Sequence, residues 1–363
     1  MPSCRLSRPA LAVVLVTFLA AAGPGRAEAQ PAGPEQKAEP PAPAWKISGL
    51  VFGDFYLFAQ DHDERFDGQS GFWLRRGYLT YDHTLAPTLA TRFRLEVNSN
   101  GKMAGGSLTP FVKDAYLRWS YRKGHQAFVG LQPTPTLETI DGVWGLRYVE
   151  RVAADLYRFD TTRDLGVGVT GSLNAGGTVR YAAQIGNDSG TASETDGKMA
   201  IRLAARYDTN PGLFVEGSYW HADRAGGADR EALQVFAAYR HARGRAAVNL
   251  VRHERDAAPG SLPAVETSVV SGFGVLEVRP GRLSVFARLD RVFDPLPDGG
   301  IDYLPISTAS PFTFGLFGVE YRPAPSVWLA PNLEFVRYGT PRDGAAARPR
   351  NDVVVRASFH WAW

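Results

Sequence analysis

The 363-residue sequence is almost without cysteine: Cys4 is the only one. It precedes an apolar run from Ala10 to Ala22, so the rest of the chain can hold neither a disulfide nor a cysteine-ligated metal. Its position also argues against a lipoprotein, whose cysteine would follow that run. Long hydrophobic stretches are missing as well. Beyond the N-terminal run, apolar segments are broken by charge within about ten residues, too short for a membrane-spanning helix. The seven histidines (62, 83, 125, 221, 241, 253 and 360) show no metal spacing such as His-Glu-x-x-His. No Gly-x-Ser-x-Gly elbow is present. No catalytic residue, metal or cofactor is therefore expected.

A strong charge bias is missing too. Residues 1–29 combine Arg5 and Arg8, the apolar run, and Ala27-Glu28-Ala29, the pattern of a removable secretory signal peptide. That segment carries three basic residues and one acidic residue, so the formal charge falls from +3 to +1 without it. Bulk charge thus offers no case for a nucleic-acid partner, and none is expected. Residues 30–44, rich in Pro and Ala, read as a disordered lead-in. From Trp45 to Trp363 the texture is uniform, which predicts a single domain.

That texture is alternation. Residues 88–100 put Leu89, Phe93, Leu95 and Val97 on one parity, and Arg92, Arg94, Glu96 and Asn98 on the other. Residues 198–207 set Met199, Ile201, Leu203, Ala205 and Tyr207 against Lys198, Arg202 and Arg206. Residues 282–290 set Leu283, Val285, Ala287 and Leu289 against Arg282, Ser284, Arg288 and Asp290. The last thirteen residues place Val353, Val355, Ala357, Phe359, Trp361 and Trp363 on one face. A period of two is a strand. A strand with one greasy face and one charged face, ending on an aromatic, fits a transmembrane barrel whose outer face meets lipid. The alternation is less clean in 231–239, 245–253 and 265–278.

Connections alternate in length. Short ones fall at 85–88, 122–125, 174–177, 208–212, 241–244, 279–282 and 322–326. Long polar ones fall at 60–71, 101–109, 133–163, 187–197, 222–230, 254–264, 294–311 and 339–350. This is the outer-membrane arrangement of short periplasmic turns and long extracellular loops. It predicts an all-β, sixteen-stranded antiparallel barrel with both ends periplasmic. In residues 72–82 the adjacent Arg75 and Arg76 compete for one face. With Trp73, Leu79 and Tyr81 outside, Arg75 is expected outward, near lipopolysaccharide phosphates.

Three stretches resemble the phosphate-selective porin family of bacterial outer membranes, the O/P type: Val-Lys-Asp-Ala-Tyr-Leu (112–117), Val-Gly-Leu-Gln-Pro-Thr-Pro-Thr-Leu-Glu (129–138) and Arg-Asp-Leu-Gly-Val-Gly-Val-Thr-Gly (163–171). The resemblance spans residues 46–363. It implies a sixteen-stranded barrel, a homotrimer and an inward-folded third loop. The basic residue often found before the Thr-Pro pair is Pro133 here, which bears on selectivity for phosphate.

A barrel of this size leaves an aqueous channel, so passive passage of small hydrophilic solutes is the expected function. Pore-lining arginines on the inner parity are Arg76, Arg92, Arg94, Arg118, Arg180, Arg202, Arg206, Arg288 and Arg356. Acids on that parity include Asp54, Glu96, Asp114, Glu216, Glu320 and Glu334. Residues 133–163 form the longest loop and carry Trp144, Tyr148, Leu156, Tyr157 and Phe159, so they are expected to fold into the lumen. Arg147, Arg151 and Arg158 of that loop would join Arg92, Arg94 and Arg118 on one basic side of a constriction and favour anions, phosphate among them. The alternative is a balanced lumen whose arginines pair with its acids. Two other functions compete: an adhesive or structural surface barrel with a plugged lumen, and a lipase-like enzyme using Ser358 and His360. Outer-membrane lipid and lipopolysaccharide are expected around the wall. The barrel-assembly machinery is expected to engage the aromatic terminal strand.

Overall fold

The computed structural model describes residues 44–99, 107–257, 263–297, 303–342 and 347–363. The expected leader 1–29, and the lead-in as far as residue 43, lie outside the described residues. The strands are β1 Trp45–Gln60, β2 Ser70–Ala86, β3 Leu89–Asn98, β4 Thr109–Arg122, β5 His125–Pro133, β6 Arg163–Ser172, β7 Val179–Gly186 and β8 Ala200–Asn210. They continue as β9 Leu213–Ala222, β10 Arg230–His241, β11 Gly244–Arg255, β12 Val265–Arg279, β13 Leu283–Val292, β14 Phe312–Ala324, β15 Val327–Tyr338 and β16 Asp352–Ala362. Each strand pairs antiparallel with the next, and β1 pairs with β16, closing the barrel. Closure leaves no edge strand to satisfy.

The wall is turned inside out relative to a water-soluble β-protein. Leu95, Leu203 and Leu289 are 36%, 46% and 55% exposed on the outside, whereas Arg202, Arg356 and Arg288 are 0%, 1% and 3% exposed. Next to the short turns the outward positions are aromatic: Trp45, Trp119, Tyr121, Tyr207, Tyr239, Tyr321, Trp361 and Trp363. At the seam, Trp363 exchanges backbone hydrogen bonds with Gly49, at 3.0 and 3.1 Å. Its indole lies where a Cβ on residue 49 would stand, so any other residue there would have to displace it.

Two β-bulges alter the expected parity. In the β1–β2 pairing, Phe52 opposes Arg76 and Gly53 opposes Leu74, leaving Arg75 unpaired. In the β3–β4 pairing, Arg94 opposes Asp114 and Leu95 opposes Val112, leaving Lys113 unpaired. An extra residue lets two consecutive side chains face the same way. Arg75 therefore points inward beside Arg76, to Asp54 and the Val149 carbonyl (2.9 Å). This corrects the outward placement of Arg75 and removes its contact with lipopolysaccharide. Trp73 is inward as well: it donates to the Ser99 hydroxyl at 2.7 Å and packs on Tyr303. Phe72 and Leu74 take the outer positions.

Candidate functional site

The interior is shaped by residues 134–162, between β5 and β6. They contain α1 (Pro135–Trp144) and α2 (Ala153–Leu156). Pro135 opens α1 where its missing N–H costs nothing. Gly145 ends it in left-handed backbone, with Arg245 2.8 Å from where a Cβ would be. The segment lies within the barrel, because inward side chains from widely separated strands hold it. Gln234 of β10 donates to the Thr136 carbonyl (2.9 Å), Trp220 of β9 to the Phe159 carbonyl (3.2 Å) and Arg245 of β11 to the Trp144 carbonyl (2.7 Å). Tyr148 donates to Glu320 of β14 at 2.7 Å. Burial, then the Glu320 carboxylate, push the Tyr148 hydroxyl well above its ordinary value, so it stays a donor.

Apolar packing does the rest. Trp144 meets Phe273 and Phe286 at centroid distances of 5.1 and 6.3 Å, and Tyr157 meets Phe312 at 5.6 Å. Leu137, Ile140, Val143, Phe236, Phe314 and Leu316 complete this core. Here the inner face of the wall is apolar too, which is why the alternation in residues 231–278 is blurred. The connection between β13 and β14 also turns inward, burying Leu296, Tyr303, Leu304 and Ile306. The Tyr303 ring collects the guanidinium groups of Arg75, Arg151 and Arg76 at 4.6, 5.1 and 5.8 Å.

The nine arginines of the inner parity all lie on the inner side of the wall, but eight are tied to carboxylates. Arg76 pairs with Glu96 (3.5 Å), Arg92 with Asp82 (2.7 Å) and Arg94 with Asp114 (3.2 Å). Arg180 and Arg206 share Asp208 at 3.4 and 2.5 Å. Arg202 is ringed by Asp160, Asp164 and Asp188 at 2.8, 2.7 and 2.8 Å. Arg288 pairs with Asp290 (2.5 Å), and Arg356 bridges Asp54 (3.1 Å) and Glu334 (3.0 Å). Arg118 alone of the nine has no carboxylate partner among the described residues. Of the loop arginines, Arg147 is held by Asp141 and Asp155 at 2.6 and 2.7 Å. Arg151 joins Arg75 and Arg76 at Tyr303. Arg158 is exposed in left-handed backbone just past α2. The arginines of the expected single basic side thus fall into separate groups, with Arg92, Arg94 and Arg147 paired to carboxylates.

Open space remains on the other half of the wall. A cavity of about 390 Å³ lies under α1 toward the turn side, lined by β3 to β9. Arg92, Arg118, Arg180, Arg206, Gln132, Gln184 and Glu216 face it, with Glu138 and Thr139 of α1 as its ceiling. Thr139 donates to Glu216 at 2.8 Å, while the second Glu216 oxygen is buried without a hydrogen-bond partner. A second cavity of about 280 Å³ shares Arg92, Tyr116 and Arg118 with it and extends along β1 to β3. Ser358 and His360 form no pair: the Ser358 hydroxyl accepts from Asn332 (3.1 Å), and His360 stacks on Trp328 at 4.6 Å. Sequence reasoning missed Arg75, Lys113 and Tyr303 as interior groups. For the first two a signal exists: a doublet of charges inside an otherwise alternating strand marks a bulge. Lys113 meets Glu96 at 2.7 Å.

Solved structures with the same architecture settle the fold. DcaP, an outer membrane channel of Acinetobacter baumannii, superposes with a TM-score of 0.62 at 13% identity, covering 88% of this chain and 97% of that one. The fold is that of the outer-membrane porins. This porin fold is shared with OmpF of Salmonella typhi, solved with daunomycin (TM-score 0.62, 9% identity, 88% and 97% covered). It is shared too with the trimer form of OmpT of Vibrio cholerae (TM-score 0.58, 15% identity, 88% and 99% covered). The sequence itself matches no family model and no curated protein.

Proposed function

We propose that the chain is a bacterial outer-membrane porin, exported by its N-terminal segment, that lets small hydrophilic solutes diffuse passively. The observation that carries this reading is the polar cavity under α1, inside a barrel whose outer wall is apolar and whose turn-side rim is aromatic. Solutes pass along the β3–β9 side, because the opposite side is filled by Trp144 with its aromatic seat and by the inward-turned β13–β14 connection. We take the short turns as periplasmic, the long loops as external with lipopolysaccharide around them, the assembly as a homotrimer, and the terminal aromatic strand as the part the barrel-assembly machinery engages. Kinship with the O/P porins rests on the three resembling stretches. With eight of nine arginines neutralised, selectivity is a slight anion preference centred on Arg118, and a dedicated phosphate site is not part of it. Single-channel conductance in planar bilayers tests the porin reading, and reversal potentials in a salt gradient test the preference: cation selectivity rejects it.

One observation favours a second reading. Two connections fold inward and share one apolar core with the wall. A surface barrel with a plugged lumen would give neither conductance nor proteoliposome swelling in small sugars.

A further inference from the structure

At the loop end of the seam, three side chains far apart in sequence converge. Asp61 and His62 follow β1, and Asp352 opens β16. Each offers a donor atom within 4.8 Å of the other two. His62 Nδ1 lies 3.3 Å from Asp61 Oδ1, and 3.0 and 3.2 Å from the two Asp352 oxygens. In a tetrahedral zinc site with bonds of about 2.0–2.1 Å, neighbouring donors stand about 3.3–3.4 Å apart. His62 Nδ1 stands at about that spacing from both carboxylates, and the Asp61 and Asp352 oxygens lie within 4.8 Å of each other.

Two carboxylates face one imidazole. Asp61 and Asp352 are 1% and 0% exposed, and no lysine or arginine pairs with either among the described residues. Nearby arginines are taken: Arg65 by Asp63 and Arg350 by Asp67. Asp61 Oδ2 is buried with no hydrogen-bond partner. Burying two carboxylates beside a single imidazole is costly, and a bound cation would reduce that cost.

The surrounding bonds orient the donors. Tyr338 Oη donates to Asp352 Oδ2 at 2.5 Å, and the His62 backbone N–H donates to Oδ1 at 2.7 Å. The Asp63 N–H donates to Asp61 Oδ1 at 2.9 Å. Such outer contacts fix carboxylate direction in metal sites. His62 keeps 17% of its side chain exposed, which gives an entry path.

We propose that Asp61, His62 and Asp352 bind a divalent transition-metal ion of the zinc class, clipping the first loop to the closing strand. Imidazole with two carboxylates suits such an ion better than calcium, which takes oxygen ligands only. The inference is independent of whether the barrel conducts. Isothermal titration of Zn²⁺ into the full chain in detergent, stripped with chelator, tests it. One Zn²⁺ per chain is expected, with tetrahedral visible bands when Co²⁺ is used instead. His62→Gln and Asp61→Asn, both in the loop, should abolish binding while keeping heat-modifiable migration. Tyr338→Phe should weaken it about 10–100-fold. His221→Gln, which removes the exposed His221–Asp223 contact, should leave it intact. Absence of binding, binding that survives His62→Gln or Asp61→Asn, or tighter binding of Ca²⁺ than of Zn²⁺ would overturn the proposal.

Discussion

The two sides of the barrel interior solve the problem of a charged inner wall differently. From β3 to β8 the inner face carries Arg92, Arg94, Glu96, Arg118, Gln132 and Arg206, and space remains beside it. From β9 to β15 the inner face carries Phe214, Phe236, Phe273, Phe286, Phe312 and Phe314, and the inserted loop fills the space. One sheet with one hydrogen-bond pattern thus serves as the wall of a cavity on one side and as half of a hydrophobic core on the other. The difference lies only in which side chains occupy the inward parity. Wall position alone therefore does not define a pore: the inserted segment decides which part of the wall stays wet.

The largest expected effect comes from emptying the apolar seat. Trp144→Ala should cost about 3–5 kcal/mol, read from the denaturant midpoint, and should raise single-channel conductance as α1 loses its anchor. If stability and conductance both stay unchanged, the two sides do not differ in the way described. Next comes the buried ion network. Arg356→Met strands Glu334, leaves Asp54 to Arg75 alone, and should cost about 3–5 kcal/mol. Adding Glu334→Gln should return most of that loss, and failure of this rescue would mean that Arg356 acts by packing. Tyr148→Phe removes the donor to half-buried Glu320 and should cost about 1 kcal/mol. Smallest in stability is Arg118→Glu on the open side, within about 0.5 kcal/mol. Its effect should appear in the reversal potential, which moves toward cations, whereas Arg240→Glu near the turns should move it less.

Much of this fold is legible in the sequence because a period of two survives in strands such as β3, β8, β13 and β16. Leu95, Leu203 and Leu289 are outside and Arg94, Arg202 and Arg288 inside, as the alternation requires. The bulges at Arg75 and Lys113 escape a parity argument, since one inserted residue shifts parity without changing composition. The inner apolar side escapes it for another reason. Phe236 and Phe273 look like lipid-facing residues until Trp144 is placed against them. The inward turn of Tyr303 leaves no local mark, because its partners Trp73, Arg75 and Arg151 lie on two other segments. The pairing of arginines with acids is invisible for the same reason: Arg356 meets Asp54 only once the first and last strands are neighbours.

The fit of Trp363 over Gly49 has a consequence for assembly. The indole drops into a notch made by a missing methyl group, so the final residue works as a latch on the first strand. Any side chain at position 49 would lift that latch and leave that end of the seam shut by backbone contacts. A chain altered there should still thread its hairpins but zip its ends slowly, and semi-native gels would show it as a lasting open form.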